Sequence, residues 1–366
     1  MSIVVVPWDA LCGGSSLDTS IEAAFGPAGL GLLAVSGVPR HAAARARLLP
    51  LASRLAALPA AELAALEDPA SCYSFGWSLG RESVRGVPDT SKGSFYANPL
   101  VDDDTPVPSS APSGSRHLVA PNRWPAASLP DLRPALCDAG KLMFDVGLLV
   151  AARCDAYCLA RGAPPAAARL RDTVAASTCH KARLLHYLPL PSGSDGAAGE
   201  GESGEGGVSS WCGWHKDHGS LTALMCAQYA DANGQEVACP DAAAGLYIKS
   251  RGGEVTQAKL QPDWLAFQMG EASQLLSGGL LVATPHCVRG ARGAAAAGVA
   301  RNTLALFMQP NWDVPMAPPG GMGDGSGAGG GGDAGQAAAA AAAGVPQWRP
   351  GQTFGDFAAA TVAEHY

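Results

Sequence analysis

The pattern of apolar and polar positions changes character along the chain. Between Leu132 and Arg161, apolar residues recur every three or four positions, the period of a helix with one buried face. Gly162 follows as a helix stop. At 1.5 Å per residue this helix would be about 45 Å long, enough to brace one side of a barrel. Upstream, the segment Gly29–Pro39 predicts a short strand, and the next segment predicts a helix interrupted at Pro50.

After Ala176 the pattern becomes short apolar runs separated by turn residues, which is typical of a β-rich domain. We predict six strands here, in ARLLHYLPL, SLTALMCAQY, AGLYIKS, WLAFQMG, LLVATPHCV and NTLALFMQP. Two inserts, 192–210 and 318 to about 344, are rich in Gly, Ser and Ala and are predicted to be mobile surface loops. The chain then resumes in a predicted C-terminal helix that docks through Phe354 and Phe357.

Composition narrows the function classes. The net charge of −7 disfavours a nucleic-acid partner, which needs clustered Lys and Arg, and favours a small-molecule substrate. The ten cysteines form no CxxC pair, which predicts reduced thiols in an intracellular protein. Cys154 and Cys158 lie one helical turn apart and are expected on a buried helix face. With no signal-peptide pattern and no membrane-spanning run, we expect a cytoplasmic protein, with an organelle left open; the oligomeric state is not indicated.

The stretch WHKDHGSLTAL contains the first candidate site residues. On a strand, positions i and i+2 point to the same face, so His215 and Asp217 can present an imidazole and a carboxylate to one point. A third candidate is His286, which we predict ends an apolar strand in LLVATPHCV. Two histidines and one carboxylate form the facial triad of non-haem Fe(II) oxygenases, which leaves open coordination positions for a cosubstrate and O₂. A His-x-Asp pair alone is common by chance, so the surrounding motifs decide whether this pair indicates a metal site.

The segment RNTLALF supplies such a motif after His286. Arg301 and Thr303 lie on one face of a predicted strand, where a guanidinium and a hydroxyl can hold the far carboxylate of a dicarboxylic acid.

In this order, the motifs resemble the plant-type 2-oxoglutarate and Fe(II)-dependent dioxygenases, the superfamily that includes the isopenicillin N synthase-like oxidases. HKDHGSLTAL matches a His-x-Asp followed by Gly-x-Leu-Thr, GLYIKS is similar to a Gly-Leu strand, and GEASQLLSGG resembles a Gly-Asp turn with Glu271 in place of Asp. RLLHY is similar to an upstream Arg-x-Asn-x-Tyr motif, with Arg183 and Tyr187 conforming and Leu185 replacing Asn. Other segments resemble a plant and algal branch, which implies no particular substrate.

The resemblance implies a double-stranded β-helix, or jelly-roll, core that is mainly β, with flanking helices, an N-terminal α/β region and the long bracing helix outside. It implies an N-terminal region at 1–176, a dioxygenase core at 177–312, a low-complexity loop at 313–345 and a C-terminal helix at 346–366. His215, Asp217 and His286 would hold Fe(II), and Arg301, Thr303 and Tyr187 would bind 2-oxoglutarate.

The implied reaction uses O₂, with ascorbate as an optional addition, to oxidise a small organic substrate. Hydroxylation is the first expectation, with release of succinate and CO₂, and no catalytic residue beyond the metal site is expected. Two alternatives stay open: an Fe(II) oxidase of the same fold that does not use 2-oxoglutarate, and a non-catalytic binding module. Nucleic-acid demethylation is disfavoured by the acidic balance.

Several other residues near these motifs are not assigned to the metal site. His218 is expected to point away from the metal, and Cys212 and Cys287 are not included as ligands because thiolates suit zinc better. Phe95 and Tyr96 belong either to a substrate pocket or to the core.

Overall fold

A computed structural model describes residues 2–84, 87–101, 115–190, 210–319 and 344–363. The strands are β1 (Val4–Pro7), β2 (Leu32–Ser36), β3 (Gly76–Leu79), β4 (Ser83–Val84), β5 (Val87–Pro88), β6 (Lys92–Ala97), β7 (Lys181–Tyr187), β8 (Ser210–His215), β9 (Leu221–Met225), β10 (Gln228–Ala230), β11 (Glu236–Val237), β12 (Gly245–Lys249), β13 (Val255–Ala258), β14 (Leu265–Met269), β15 (His286–Arg289) and β16 (Ala300–Met308). The helices are α1 (Trp8–Cys12), α2 (Asp18–Phe25), α3 (His41–Ala56), α4 (Ala60–Ala65), α5 (Leu132–Ala160), α6 (Leu170–Ala175), α7 (Glu271–Leu276) and α8 (Phe354–Ala363).

Two sheets form the framework. The large sheet has the order β1-β2-β14-β9-β16-β7-β6-β3, with β10 paired to β16 and β11 to β10. The small sheet has the order β13-β12-β15-β8. Leu185 and Ala305 from the large sheet share one buried cluster with Leu246 and Val288 from the small sheet, so the inner faces pack on each other. This is the jelly-roll arrangement, mainly β with flanking helices, that the sequence predicted.

The long helix α5 covers the outer face of the large sheet. Side chains alternate along a strand, and on β16 the residues Leu304, Leu306 and Met308 share the buried cluster of α5. Arg301 and Thr303 therefore point the other way, between the sheets. The helix matches the predicted span, and Gly162, with a φ of +80°, follows its end.

Two details of α3 and α5 bear on the sequence predictions. Pro50 lies inside α3 and does not interrupt it, since buried Leu48, Leu49 and Leu51 hold the helix on the core despite the lost hydrogen bond. Cys154 and Cys158 are both buried on α5, which confirms their interpretation as a helix face.

The predicted strand ending at His286 was wrong, because β15 begins at that residue. The apolar residues before it are buried without strand pairing, since other groups satisfy their backbone N–H groups. Leu281 N–H donates to the Ser277 hydroxyl (3.1 Å), and Ala283 N–H donates to the Gln274 side-chain oxygen (2.8 Å). A buried apolar segment without strand pairing therefore has the same sequence pattern as a buried strand.

The ends of the chain join the same framework. Strands β1 and β2 lie beside β14, and β3 and β6 lie beside β7, so the region before residue 177 contributes four strands to the large sheet. The division into an N-terminal region and a core stays a prediction. The inserts at 192–210 and 318–344 lie outside the described residues, apart from their end positions. Helix α8 docks through fully buried Phe354 and Phe357, as expected, but it begins at Phe354 and not at residue 346, because a turn at Gly351, with a φ of +81°, precedes it.

Within the described ranges, no helix combines the length and apolarity needed to cross a membrane.

Helix α5 and the large sheet approach each other closely at Gly147. A Cβ atom at Gly147 would lie 2.4 Å from Met308 Sδ and 3.3 Å from Phe267 Cε1. Because overpacking typically costs about 1–3 kcal/mol, Gly147→Val should lower the melting temperature by several degrees. Ala156→Val, at an exposed position of the same helix, is the matched control and should change it little. Equal melting temperatures of the two variants in a calorimetric scan would contradict this packing.

Candidate metal centre and adjoining cavity

The three predicted ligands meet at the pairing of β8 with β15. His215 is the last residue of β8, His286 is the first residue of β15, and the two are register partners. Asp217 follows β8, with its Oδ1 atom 3.8 Å from Nε2 of each histidine. One ligand atom from each side chain lies within 4.8 Å of the others, and the described residues contain no other such group of His, Cys, Asp and Glu.

Hydrogen bonds on the far side of each ring fix the direction of the lone pairs. Nδ1 of His215 lies 2.9 Å from the Gly213 carbonyl and donates to it, so Nε2 faces the other two ligands. Nδ1 of His286 lies 2.7 Å from the side-chain amide of fully buried Gln268. The Gln268 oxygen has no partner among the described groups; with the amide turned by half a rotation it accepts the Nδ1 proton.

Asp217 is held by its own motif. The Thr222 hydroxyl donates to Oδ2 (2.6 Å), which leaves Oδ1 towards the histidines. The Asp217 carbonyl accepts the N–H of Glu271 (2.8 Å) at the start of α7. This approach requires glycine at position 270, where a Cβ atom would lie 2.1 Å from the Gly219 carbonyl oxygen. The Gly-x-Leu-Thr and Gly-Asp-like segments of the sequence thus meet to support one ligand.

The charges of the three ligands are strongly coupled. Burial opposes ionisation of Asp217, but His286, His215 and the Thr222 hydroxyl outweigh it and lower the pKa of Asp217. Burial lowers the pKa of His286 to about 4, so this imidazole is neutral near pH 7. Burial also opposes the charged form of His215, but Cys212 and Asp217 raise its pKa to about 9. A cation binding here would displace a proton from His215.

The loop that carries the ligands is tied to the C-terminal segment. The Lys216 ammonium donates to the Gly344 carbonyl (2.7 Å) and lies 3.6 Å from Glu271 Oε1. Burial raises the pKa of Glu271 to about 7, against the opposing effect of Lys216. His218 stacks on Phe354 with ring centroids 5.9 Å apart, and it is not part of the ligand group. The C-terminal segment therefore braces the loop from behind.

A cavity of about 450 Å³ lies between the sheets and is lined by all three candidate ligands. Most of its remaining wall is apolar, with side chains such as Leu224, Leu246 and Val288. Arg301, Thr303 and Tyr187 line the same cavity.

Arg301 lines the cavity with part of its hydrogen-bonding capacity unused. Its side chain is buried, and its Nε and Nη1 atoms have no hydrogen-bond partner among the described residues. The guanidinium carbon lies 5.0 Å from the centroid of the Tyr187 ring, so Tyr187 supports Arg301 with its ring face. The Thr303 hydroxyl donates to the Met225 carbonyl (2.7 Å). Buried donors without partners are costly, which points to an anionic ligand at Arg301.

Several solved structures have a similar fold. A full-length Neurospora crassa protein, solved in complex with alpha-KG and thymine, is 18% identical, with a TM-score of 0.67, and the match covers 99% of this chain and 96% of that one. A putative 2OG-Fe(II) oxygenase family protein from Caulobacter crescentus is 18% identical, with a TM-score of 0.66, and the match covers 99% and 98%. The dioxygenase for auxin oxidation in rice is 22% identical, with a TM-score of 0.54, and the match covers 88% of each chain.

This chain has the fold of the 2-oxoglutarate and Fe(II)-dependent oxygenases. No family model matches the chain, and no curated protein matches it either.

The structure also shows residues that sequence reasoning missed or left open. Cys212 lines the cavity, with Sγ 3.7 Å from Nδ1 of His215, although it lies outside the ligand group. Phe95 and Tyr96 are buried on β6 and do not line the cavity, which favours the core interpretation. Arg183 was noted only as a motif residue, yet it lines the cavity. Alternation with Tyr187 on a predicted strand is the signal that could have found it.

The hydroxyl of Thr222 gives a direct test of ligand support. Thr222→Val removes the bond to Asp217 at similar volume, and loss of such outer partners typically costs about 10–100-fold in metal affinity. Anaerobic Fe(II) titration should show this weakening, with the folded state unchanged by circular dichroism. Thr256→Val, on β13 and with no hydrogen bond to a candidate ligand, is the control and should bind iron as the wild type does. Unchanged affinity in Thr222→Val would contradict the supporting role.

Proposed function

We propose that the protein is a non-haem Fe(II)- and 2-oxoglutarate-dependent dioxygenase. It oxidises a small organic substrate, by hydroxylation as the simplest outcome, and releases succinate and CO₂. One observation carries the proposal: a buried guanidinium with two unpartnered N–H groups opens onto the same cavity as two imidazoles and a carboxylate.

The donor set fits Fe(II). Imidazole nitrogens suit iron, and two histidines with one carboxylate on one side leave positions for further ligands. Bound iron would supply the oxidative chemistry together with O₂ and 2-oxoglutarate, with ascorbate as an optional reductant. The chain's own residues hold and orient the candidate ligands. Gly213 and Gln268 fix the histidine rings, and Thr222 fixes the carboxylate.

The cosubstrate anchor would be Arg301. Its Nε and Nη1 atoms have no partner among the described residues, and hydrogen bonds between a guanidinium and a carboxylate are charge-assisted and among the stronger ones. Thr303, two residues on and on the same face, would turn its hydroxyl from the Met225 carbonyl to the carboxylate, and Tyr187 lies under the guanidinium. Because the surroundings are largely apolar, these contacts compete with little water.

The apolar cavity supports a small organic substrate. The Neurospora crassa protein has been solved with thymine and with 5-formyluracil, and JOX2 with JA, 2OG and Fe. A substrate of comparable size is proposed here. The plant and algal branch, a cytoplasmic location and the absence of a nucleic-acid partner rest on the sequence alone.

Removal of any one ligand should abolish iron binding. His215→Ala, Asp217→Ala and His286→Ala are each expected to lose Fe(II) and 2-oxoglutarate turnover while remaining folded, because two ligands hold a divalent cation poorly. Metal analysis after anaerobic loading measures this. His218→Ala changes a neighbouring histidine outside the ligand group and should keep its iron. Full iron occupancy in His286→Ala would show that the ligand assignment is wrong.

Arg301 distinguishes the proposal from its nearest alternative. Loss of a charge-assisted carboxylate contact worth about 1.5–3 kcal/mol should raise the KM for 2-oxoglutarate about ten- to a hundredfold in Arg301→Ala. Arg301→Lys keeps the positive charge but lacks the planar guanidinium with its several donors. Its KM for 2-oxoglutarate should therefore lie between those of the wild type and Arg301→Ala. Thr303→Val should shift KM in the same direction by less.

The measurement is succinate released per O₂ consumed, with 2-oxoglutarate varied. Oxygen consumption by the wild type without succinate would favour the oxidase that does not use 2-oxoglutarate. Ligand binding without any oxygen consumption would favour the non-catalytic binding module.

A further inference from the structure

A compact group of charged residues lies behind one wall of the cavity and meets the cavity at Arg183. Strands β6 and β7 are paired so that Lys92 lies opposite Tyr187 and Tyr96 lies opposite Arg183. Glu82, which precedes the β4–β5 hairpin, reaches over this wall. Its Oε1 atom accepts from Arg183 Nη2 (2.6 Å) and from the Tyr96 hydroxyl (2.7 Å), and its Oε2 atom lies 3.4 Å from Lys92.

The group balances two cations with two carboxylates. Besides Glu82, Asp89 pairs with Lys92 and accepts the Ser91 hydroxyl (2.6 Å). Burial opposes ionisation of Glu82, but the charges of Arg183 and Lys92 overcome it and lower the pKa of Glu82 well below its usual range. The four charged side chains are at least four-fifths buried, so solvent screens their charges poorly.

Arg183 connects the group to the cavity, since it is one of the lining residues. Its register partner on β16 is Ala305, whereas Arg301 is the partner of Tyr187, four residues away. At about 3.3 Å per residue, the two arginines belong to positions about 13 Å apart along the sheet. A cosubstrate carboxylate at Arg301 therefore leaves Arg183 facing a different part of the cavity.

Stability alone does not explain this arrangement. Burying an ion pair costs desolvation that its attraction often fails to recover, and apolar residues of similar volume are often neutral or better for stability. An uncompensated Arg183 would, however, be a strong site for any carboxylate that entered the cavity. Glu82 fills that position with a carboxylate of the chain itself.

We propose that Glu82 is a specificity-determining residue: its carboxylate, held over Arg183 and Lys92, neutralises this wall and restricts the cavity to substrates that present no carboxylate to it. The inference rests on the proposed function in taking the cavity as the substrate site and Arg301 as the cosubstrate anchor. It predicts a substrate whose part near Arg183 is uncharged, because an anionic group there would meet an arginine already paired with Glu82 and the like charge of that carboxylate.

The first experiment is chemical rescue by acetate, which needs neither iron nor turnover. Glu82→Ala leaves a carboxylate-sized space over two cations, so acetate should raise its melting temperature by several degrees more than it raises that of the wild type. Acetamide, of nearly the same shape but uncharged, should not. Glu82→Ala/Arg183→Gln should lose the acetate effect.

The control is Asp155→Ala. Among the described residues, Asp155 accepts hydrogen bonds only from the backbone N–H groups of Leu170 and Arg171, so its loss uncovers no buried cation there and should give no acetate-specific shift. Equal effects of acetate and acetamide on Glu82→Ala, or an acetate effect that persists in the double variant, would overturn the assignment.

The second experiment measures selectivity in the cavity with phenylacetate and phenylacetamide, at saturating 2-oxoglutarate so that Arg301 is occupied. In ligand-observed NMR, Glu82→Gln, which preserves side-chain volume, should gain about tenfold or more in phenylacetate affinity, with phenylacetamide changed little. Glu82→Asp, which keeps the charge, should retain the wild-type preference. If phenylacetate binds Glu82→Gln no better than the wild type, the proposed selectivity is wrong, even where 2-oxoglutarate turnover is intact.

Discussion

The antiparallel pairing of β8 with β15 is the contact on which the candidate site depends. It places His215 opposite His286 although the two are far apart in sequence, and it leaves Asp217 just beyond the strand end where its carboxylate faces both rings. The rest of the small sheet holds this pair against the large one. Because the inner faces share one apolar cluster, a change in sheet packing would move the ligands relative to Arg301.

Two arginines on neighbouring strands illustrate how burial and pairing assign different tasks to the same side chain. Arg301 is buried with two N–H groups unpartnered, whereas Arg183 is held by Glu82 and Ser94. The unpartnered donors of Arg301 are free to bind a ligand, but they lower the stability of the ligand-free protein. The donors of Arg183 are instead bonded within the chain. Of the two arginines that line the cavity, only Arg301 has donors left for a ligand, which gives a dicarboxylic acid a defined direction.

Much of the fold was accessible from sequence because periodicity is a local property. The span of α5 followed from its apolar repeat and Gly162, and the inward direction of Arg301 and Thr303 followed from alternation along one strand. The identity of the candidate ligands came from short motifs. The start of β15 was missed because a buried apolar segment satisfied its backbone through Ser277 and Gln274, which no local pattern encodes. Glu82 was missed for a related reason, since its partners lie on strands brought together by tertiary packing.

The main-chain bonds between α7 and the loop after His215 have a consequence for how the site is filled. Glu271 N–H reaches the Asp217 carbonyl, Ala272 N–H reaches the Gly219 carbonyl, and Gly270 N–H reaches the Ser220 carbonyl. A loop held in this way keeps its shape without a cation, unlike small zinc domains that fold only around their metal. We therefore expect the site to lose and regain a divalent ion without unfolding of the chain. Which divalent ion occupies it then depends on what the cell supplies as much as on the three ligands.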